Sequence, residues 1–186
     1  MAHSNSGLVI PFDPKAHAHL TPYLAAIHAS CITVDRAICI FLPPLSHEKL
    51  LCWWKERIAE VGEGTRLIWI LLAELDTTGK PKGPDVMGVV MLAMPTSETA
   101  TFRGLVEMLL VQKSFRGKGG ARLLVAALED GAAKLGRTTL LLETEADSPA
   151  EAVYRKLGYV EMGKVPGYGM SPAGELKDGT FFYKQL

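Results

Sequence analysis

The stretch from residue 105 to residue 124 constrains the fold most, because it joins a strand-like run, a glycine-rich turn and a helix-like pattern. Residues 106–111 form a nearly continuous apolar run, as in a buried strand. The turn at residues 116–121 has the sequence Arg-Gly-Lys-Gly-Gly-Ala. Apolar side chains then recur at helical spacing at Leu123, Leu124, Ala127 and Leu128. The pattern predicts a strand that feeds a helix through a glycine turn.

The glycine turn predicts a site for a phosphate or pyrophosphate group. Several N–H groups at the start of a helix lack an intrahelical partner, and they lie at the positive end of the helix dipole. Glycine lets the backbone approach a ligand because it has no Cβ. Arg116 and Lys118 place two positive side chains in the same turn. Together these features favour an anion cradle, and the alternative is an ordinary glycine-rich connection.

The spacing of the glycines excludes the common nucleotide-binding loops. No G-x-x-x-x-G-K-[S/T] run occurs, so the turn is not a P-loop. Gly117 and Gly119 begin a Rossmann fingerprint, but Arg122 stands where the third glycine is needed. A kinase glycine loop would need further motifs that the chain lacks. The pattern that fits is R-x-x-G-x-A, formed by Arg116, Gly119 and Ala121.

This pattern, placed between a strand and a helix, resembles the acyl-coenzyme A loop of the GNAT superfamily of N-acetyltransferases. In that family the loop wraps the pyrophosphate of the cofactor. The resemblance therefore implies that acetyl-CoA is the cofactor, bound by the backbone N–H groups of Gly117, Gly119, Gly120 and Ala121. It also implies that Arg116 and Lys118 add positive charge there, with solvent as the alternative place for either side chain.

The composition indicates one globular domain, spanning residues 1–186, and argues against several classes of partner. The 20 Lys and Arg residues balance the 20 Asp and Glu residues, whereas proteins that bind nucleic acids or anionic membranes usually carry a basic excess. No segment approaches the roughly 20 apolar residues of a membrane span, and the first residues lack the pattern of a signal peptide. Three cysteines match no metal-ligand spacing. We expect a cytoplasmic monomer or homodimer without a nucleic-acid or membrane partner.

Periodicity and turn residues predict seven strands and about four helices. The first half is predicted to hold strands at about 8–12, 66–75 and 86–94 and helices at about 15–36 and 47–61. The second half is predicted to hold strands at 102–111, 138–145, 159–165 and 180–186, helices at 118–135 and from about 147–151 to Gly158, and a loop at 166–179. Ser46 and Gly136 are the predicted N-cap and C-cap of the second and third helices.

This order, β-α-α-β-β-β-α-β-α-β-β, predicts an α+β fold on one mixed sheet. A helix between the fourth and fifth strands implies a parallel pair, because parallel neighbours need a long crossover. The second, third and fourth strands are expected to form an antiparallel meander. The same order is that of the GNAT fold, so the resemblance extends over nearly the whole chain.

Further stretches in the second half strengthen the resemblance. Residues 150–159, Ala-Glu-Ala-Val-Tyr-Arg-Lys-Leu-Gly-Tyr, are similar to the A-x-x-x-Y-x-x-x-G-[F/Y] segment of the family. Within the superfamily, the tabtoxin-resistance type of acetyltransferase is most similar at residues 142–146, 165–168 and 181–186. Two departures concern cofactor contacts, because Asp147 replaces a frequent Asn and Gln112-Lys113 replaces a frequent x-Pro.

Acetyl transfer to an amine needs a proton acceptor, because an amine with a pKa near ~10 is mostly protonated at neutral pH. Glu143 and Glu145 are two residues apart on the predicted fifth strand and therefore share one face. The resemblance to the tabtoxin-resistance type implies that Glu143 is the base. Glu145 and Glu107, which lies on the predicted fourth strand, are the alternatives.

The resemblance implies two further roles. Tyr154 would be the general acid that protonates the leaving thiolate, and the alternative is a tyrosine ring packed in the core. A backbone N–H near Leu110 or Val111 would stabilise the oxyanion, because the family has a bulge in this strand. The thiol of the cofactor carries the acyl group, so no protein nucleophile is needed.

Aromatic residues are expected on the acceptor side of the site, at Trp53, Trp54, Trp69 and Tyr168. Trp53 and Trp54 are adjacent on a helix, so they cannot face the core in the same way. None of the five histidines is assigned to a metal. We expect acceptor specificity to come from the first 60 residues and from residues 166–179.

The sequence thus predicts an acetyl-CoA-dependent N-acetyltransferase that acts on a primary amine of a small molecule, by direct attack in a ternary complex. One alternative is a non-catalytic module that binds or senses acyl-CoA. The other is a protein or peptide N-acetyltransferase. The zero net charge and the apolar N-terminal helices favour the small acceptor.

Overall fold

The computed structural model describes residues 7–73 and 79–186, which form the expected α+β fold of seven strands and four helices. The first half comprises β1 (Leu8–Pro11), α1 (Thr21–Thr33), α2 (His47–Gly62), β2 (Arg66–Leu72) and β3 (Val86–Ala93). The second half comprises β4 (Arg103–Val111), α3 (Gly120–Lys134), β5 (Thr139–Glu145), α4 (Pro149–Lys156), β6 (Val160–Met170) and β7 (Leu176–Gln185). No helix within these two ranges is both long and apolar enough to cross a membrane.

One mixed sheet carries all seven strands, in the order β1-β2-β3-β4-β5-β7-β6. The predicted meander of β2, β3 and β4 is antiparallel. The predicted parallel pair is β4 with β5. Helix α3, which lies between these strands in the chain, returns the chain to the end of the sheet at which β4 begins. The order of the elements and this pairing are confirmed.

Local chemistry sets the ends of the helices. The Ser46 hydroxyl accepts a hydrogen bond from the Lys49 N–H at 3.3 Å and so caps α2, as predicted. Gly136 follows α3 in the left-handed region, at φ +69°. The prediction of a helix from about residue 15 is wrong, because the Asp13 carboxylate binds the N–H groups of Lys15 and Ala16 in a turn.

The central strands of the sheet are buried on both faces. Helices α3 and α4 cover one face, whose core includes Leu128, Tyr154 and Phe182. Helices α1 and α2 cover the other face, whose core includes Leu24 and Trp54. A sheet that is buried on both sides explains why β2 and β3 are apolar at nearly every position.

Two of the four aromatic residues expected on the acceptor side lie in the core instead. The Trp54 side chain is fully buried between α1, α2 and the sheet, whereas its neighbour Trp53 is half-buried. Trp69 packs under α3, where a Cβ at Gly131 would lie 2.3 Å from the indole ring. Apolar periodicity could not separate these core positions from the rim of a pocket.

The hairpin of β6 and β7 corrects the predicted loop at residues 166–179. β6 continues to Met170 and β7 begins at Leu176, so only a short turn lies between them. The prediction ended this strand before Pro166 because proline cannot donate a ladder hydrogen bond. β6 is an edge strand, and residues 166–168 form a bulge opposite Asp178, where no such bond is needed.

His28 is the least expected residue of the core. Its imidazole is completely buried, and neither ring nitrogen has a hydrogen-bond partner in the described part of the chain. The rings of Phe41, Trp53 and Trp54 surround it at centroid distances of 5.7, 5.3 and 6.2 Å. Burial lowers the pKa of His28 from 6.5 to about 4, because the charged form is poorly solvated there.

His28 should make the protein sensitive to acid. The unfolded chain binds a proton near pH 6.5 and the folded chain only near pH 4, so stability falls as the pH drops through this window. We expect a loss of up to about 3 kcal/mol in the free energy of unfolding, measured by urea denaturation between pH 7 and pH 4. His28→Phe should abolish most of this slope, and the exposed-site control His47→Gln should retain it. The same slope in His28→Phe as in the wild type would contradict the assignment.

Candidate functional site

The site is organised by a gap in the sheet between β4 and β5. These parallel strands pair over three residues only, Arg103 to Leu105 with Thr139 to Leu141. Beyond that point β5 stays paired with β7 as far as Glu145, and β4 stays paired with β3 as far as Val111. The strands therefore separate, and residues 106–111 and 142–145 line the two sides of an opening that we call the cleft.

A bulge in β4 accompanies the opening of the cleft. Val89 pairs with Leu110 and Met91 pairs with Glu107, so Val90 alone faces two β4 residues, Met108 and Leu109. Met108 has a φ of +53°, which is rare for a residue other than glycine. A bulge bends a strand and increases its local twist, and this turns the second half of β4 away from β5.

The bulge also decides which backbone N–H faces the cleft. The Gln112 N–H donates to the Met87 carbonyl of β3 at 2.9 Å. Because successive N–H groups along a strand point to opposite edges, the Val111 N–H points toward the cleft and the Leu110 N–H toward β3. Of the two positions that the sequence suggested, Val111 therefore has the suitable orientation.

The glycine loop, residues 116–121, lies at the end of β4 and leads into α3. Gly117 and Gly119 have φ values of +76° and +82°, and Gly119 is the N-cap of the helix. Among the described residues, the N–H groups of residues 117–122 have no backbone acceptor outside the helix, and the first turn of α3 contains no acidic side chain. Free donors at a helix N-terminus are the arrangement that an anion cradle requires, and the cradle itself stays a prediction. Gly120 allows the close packing of the helix, since a Cβ there would lie 2.6 Å from Leu71.

The two basic side chains of the loop are already engaged. The Arg116 guanidinium forms an ion pair with Asp35, which follows α1, and its Nε donates to the Val111 carbonyl at 2.9 Å. Lys118 is exposed, with its ammonium 5.2 Å from the centre of the Phe115 ring. Arg116 thus connects the loop to the α1 segment, and its guanidinium is not a free cation. An open groove of about 570 Å³ lies beside the loop, lined by Ala26, Ile27, Ser30, Gln112, Lys113 and Ser114.

Tyr154 lies on the α3–α4 face of the sheet. Its ring packs edge-on against Tyr159 at 5.4 Å and near Phe182 at 6.4 Å, and the residue is only 4% exposed. Its hydroxyl has no hydrogen-bond partner within the described residues. Burial raises the pKa of Tyr154, because the phenolate would be poorly solvated. The phenol therefore remains protonated at physiological pH and can act as a donor.

Glu143 lies on the opposite face of the sheet from Tyr154. Leu140 and Leu142 of the same strand belong to the core under α3. Because side chains alternate along a strand, Glu143 points to the other face. The Glu143 carboxylate is exposed and accepts a hydrogen bond of 2.5 Å from the Tyr168 hydroxyl. This hydrogen bond raises the pKa of Tyr168 to about 12, because loss of the phenol proton would break it.

A small cavity surrounds this pair on the acceptor side, between β5, the β6–β7 hairpin and the segment after α1. Its volume is about 110 Å³. We call it the acidic cavity, and its lining consists of Ile38, Glu143, Thr144, Glu145, Tyr168, Gly169, Asp178 and Gly179. Three of these residues are acidic and none is basic. Such a lining suits a small cationic group.

Glu107, the alternative base, has a different environment. Its carboxylate accepts from Arg66 at 2.6 Å, and Arg66 also binds Glu60 at 2.6 Å. Burial alone would lower the pKa of the Arg66 guanidinium, but the hydrogen bonds to Glu60 and Glu107 outweigh it and raise that pKa. Glu107 is thus held as the partner of a buried cation.

The start of α4 shows how the departure at position 147 is accommodated. The Ser148 hydroxyl accepts from the Glu151 N–H at 3.2 Å and is the N-cap, so Asp147 is not. Asp147 has a φ of +58° and its carboxylate binds Lys164 at 3.0 Å. Glu151, a buried residue of the first turn of α4, accepts from the Asp147 N–H and from Arg155. Asp147 is therefore tied to β6.

The structure thus brings together the glycine loop, the cleft, Tyr154 and Glu143, with the last two on opposite faces of the sheet. Sequence reasoning missed Asp35 and Arg66. Asp35 pairs with Arg116, which is 81 positions away along the chain, and Arg66 pairs with Glu107, which is 41 positions away. No local pattern signals such pairs.

Comparisons with known proteins show a family and a fold that the chain matches. A family model described as "Acetyltransferase (GNAT) family" matches residues 34–159, which is more than half of the chain. The N-alpha-acetyltransferase 30 of Schizosaccharomyces pombe is 34% identical over 74 residues. That match covers 39% of this chain and spans about half, 49%, of the relative's own length.

Solved structures with the same fold cover nearly the whole chain. One is a GNAT superfamily phosphinothricin acetyltransferase from Sinorhizobium meliloti in complex with acetyl-CoA, with a TM-score of 0.73 and 19% identity over 97% of this chain and 89% of that one. Another is the ribosomal-protein-alanine N-acetyltransferase from Brucella melitensis, with a TM-score of 0.71 and 22% identity over 96% and 99% of the two chains. At these identities the likeness concerns the fold.

The glycine loop can be tested with a matched pair of substitutions. Gly119→Ala places a Cβ on a residue at φ +82° in the anion cradle, and Gly136→Ala imposes similar strain at φ +69°, at the other end of α3. Each should cost roughly 1–2 kcal/mol of stability. We expect only Gly119→Ala to weaken coenzyme A binding, about tenfold or more by calorimetry. Equal affinities for the two variants would argue against the cradle.

Proposed function

Because the chain belongs to the GNAT family of acetyltransferases, we propose that it is an acetyl-CoA-dependent N-acetyltransferase whose acceptor is a primary amine of a small molecule. The acetyl group passes directly from the cofactor to the amine in a ternary complex. The finer grouping with the tabtoxin-resistance type stays a prediction from three short stretches of sequence, and so does a cytoplasmic location.

The proposed place of acetyl-CoA follows from the free donors of the glycine loop and from the cleft. The backbone N–H groups of Gly117, Gly119, Gly120 and Ala121 would hold the pyrophosphate. The part of the cofactor that carries the thioester would run along β4 into the cleft, where the edge of β4 is no longer paired with β5. Arg116 supports the loop through Asp35, and exposed Lys118 can add charge.

The proposed acceptor site is the acidic cavity. Its volume of about 110 Å³ suits a small group, and its three carboxylates with Ile38 and Tyr168 suit an ammonium on a short apolar stem. Glu143 is the proposed base. It is exposed to the cavity and has no ion-pair partner among the described residues, whereas Glu107 is bound to Arg66.

The remaining steps use groups on the other side of the cleft. Once the ammonium has given a proton to Glu143, the neutral amine attacks the thioester carbonyl. The Val111 N–H is oriented to stabilise the oxyanion. Tyr154, which stays protonated because of its burial, gives its proton to the departing thiolate as the carbon–sulfur bond breaks. The amide nitrogen loses its second proton to solvent, and solvent returns a proton to the phenolate.

The observation that carries this proposal is the coincidence of a donor-rich loop, an open strand edge and an acidic cavity along one cleft. An acceptor screen tests it. Thermal shift with acetyl-CoA is followed by detection of released thiol with a panel of small amines and of peptides with free N-termini. Small amines should be turned over fastest. Release only with peptides would favour the alternative that the relative named N-alpha-acetyltransferase suggests, and binding without release would favour a sensing module.

Removal of one oxygen tests the general acid. Tyr154→Phe should lower kcat about 100-fold, because the leaving thiolate loses its donor, whereas the affinity for acetyl-CoA should change less than about twofold. Tyr159→Phe is the matched control, because Tyr159 is a second buried tyrosine in ring contact with Tyr154. We expect near wild-type turnover from this control. Unchanged kcat in Tyr154→Phe would remove Tyr154 from the mechanism.

The identity of the base is tested by two isosteric variants. Glu143→Gln should lower kcat by about 100-fold or more, because an amide cannot take the proton. Glu107→Gln should lower the free energy of unfolding by about 1–2 kcal/mol, because buried Arg66 loses a charged partner, and should affect kcat far less. Steady-state kinetics and urea denaturation of both variants provide the comparison. The opposite order of kcat losses would transfer the role to Glu107.

A further inference from the structure

Tyr168 reaches Glu143 across an intervening strand. Tyr168 lies on β6 and Glu143 on β5, and β7 separates these two strands in the sheet. The Tyr168 ring therefore crosses the surface of β7, where it packs edge-on against Phe181 at 4.9 Å. Its hydroxyl then donates to Glu143 Oε2 at 2.5 Å.

The backbone around Tyr168 is shaped for this position. The bulge at residues 166–168 lifts Tyr168 out of the regular pleat of β6, and the Gly167 N–H is held by Asp178 Oδ1 at 2.8 Å. Below the ring lies Gly179, where a Cβ would stand 2.6 Å from Tyr168 Cδ1. Any other residue at position 179 would displace the ring, so the backbone is built for the contact between Tyr168 and Glu143.

Glu143 has no other fixed partner. In the described part of the chain, no second side chain hydrogen-bonds to its carboxylate. An exposed glutamate without such a bond would sample several rotamers, each fixed only at an entropic cost. A base that is out of line with its proton donor contributes little to the rate.

We propose that Tyr168 is a positioning residue for Glu143, which fixes the carboxylate through Oε2 and leaves Oε1 to take the proton from the acceptor ammonium. This inference rests on the proposed function. The N–H bond of the ammonium breaks as the Oε1–H bond forms, and the Tyr168 hydroxyl keeps its own proton throughout. The Tyr168 hydroxyl therefore acts on the proton transfer only through Glu143.

A double-mutant cycle tests this dependence. Tyr168→Phe keeps the ring and removes the hydroxyl, and it should lower kcat about tenfold while the KM for acetyl-CoA stays within about twofold. In a Glu143→Gln background the same change should have less than about a twofold effect. The control is Tyr23→Phe, because Tyr23 has a similar exposure, 41% against 47%, and packs on Gly83 away from the cavity. Equal effects of Tyr168→Phe in both backgrounds would overturn the proposal.

A second measurement does not need an acceptor. The wild type and Tyr168→Phe are titrated with base and followed by ultraviolet absorbance. The difference between the two curves reports the Tyr168 phenol, which should ionise near pH 12. The same subtraction is then made between Glu143→Gln and the double variant Glu143→Gln/Tyr168→Phe. In this background the pKa of Tyr168 should move toward the ordinary tyrosine value of about 10. Identical titrations in the two backgrounds would overturn the role of Tyr168. Failure of the wild type to acetylate any amine would instead count against the proposed function.

Discussion

The separation of β4 from β5 is the constraint on which the rest of the site depends. A sheet that stayed paired along its full length would have no strand edge in its middle for a ligand to occupy. The bulge at Met108 and Leu109 prevents this pairing, because it bends β4 while β5 remains bound to β7. The extra residue also places Glu107 and Met108 toward α1 and α2, and it turns the Val111 N–H to the cleft.

The cleft connects the two faces of a sheet whose central strands are covered by helices on both sides. Tyr154 belongs to the core under α3 and α4, and Glu143 faces the acidic cavity on the other side. A thioester in the cleft would meet a proton acceptor on one face and a proton donor on the other. In the proposed mechanism the amine would approach from the side opposite to that on which the thiolate is protonated, so the two proton transfers would use separate groups.

The helices, strands and turns could be predicted from the sequence because each depends on a short, local pattern of residues. The glycine loop, the caps at Ser46 and Gly136 and the order of the elements along the chain follow from short patterns of residues. The bulge has no such signal, because Met108 gives no sign that its φ is positive. The extension of β6 was hidden by Pro166 and Gly167, whose role depends on the strand lying at an edge. The pairing of Arg116 with Asp35 depends on the tertiary fold, and so sequence alone could not decide whether Arg116 was free to bind a ligand.

The pairing of Arg116 with Asp35 also bears on how a chain of zero net charge can hold a polyanion. With that guanidinium paired, the proposed attraction for a phosphate would come from oriented peptide dipoles and from exposed Lys118. The field of a dipole falls off faster with distance than that of a full charge. The proposed cradle would therefore select a phosphate by the close fit of its backbone N–H groups.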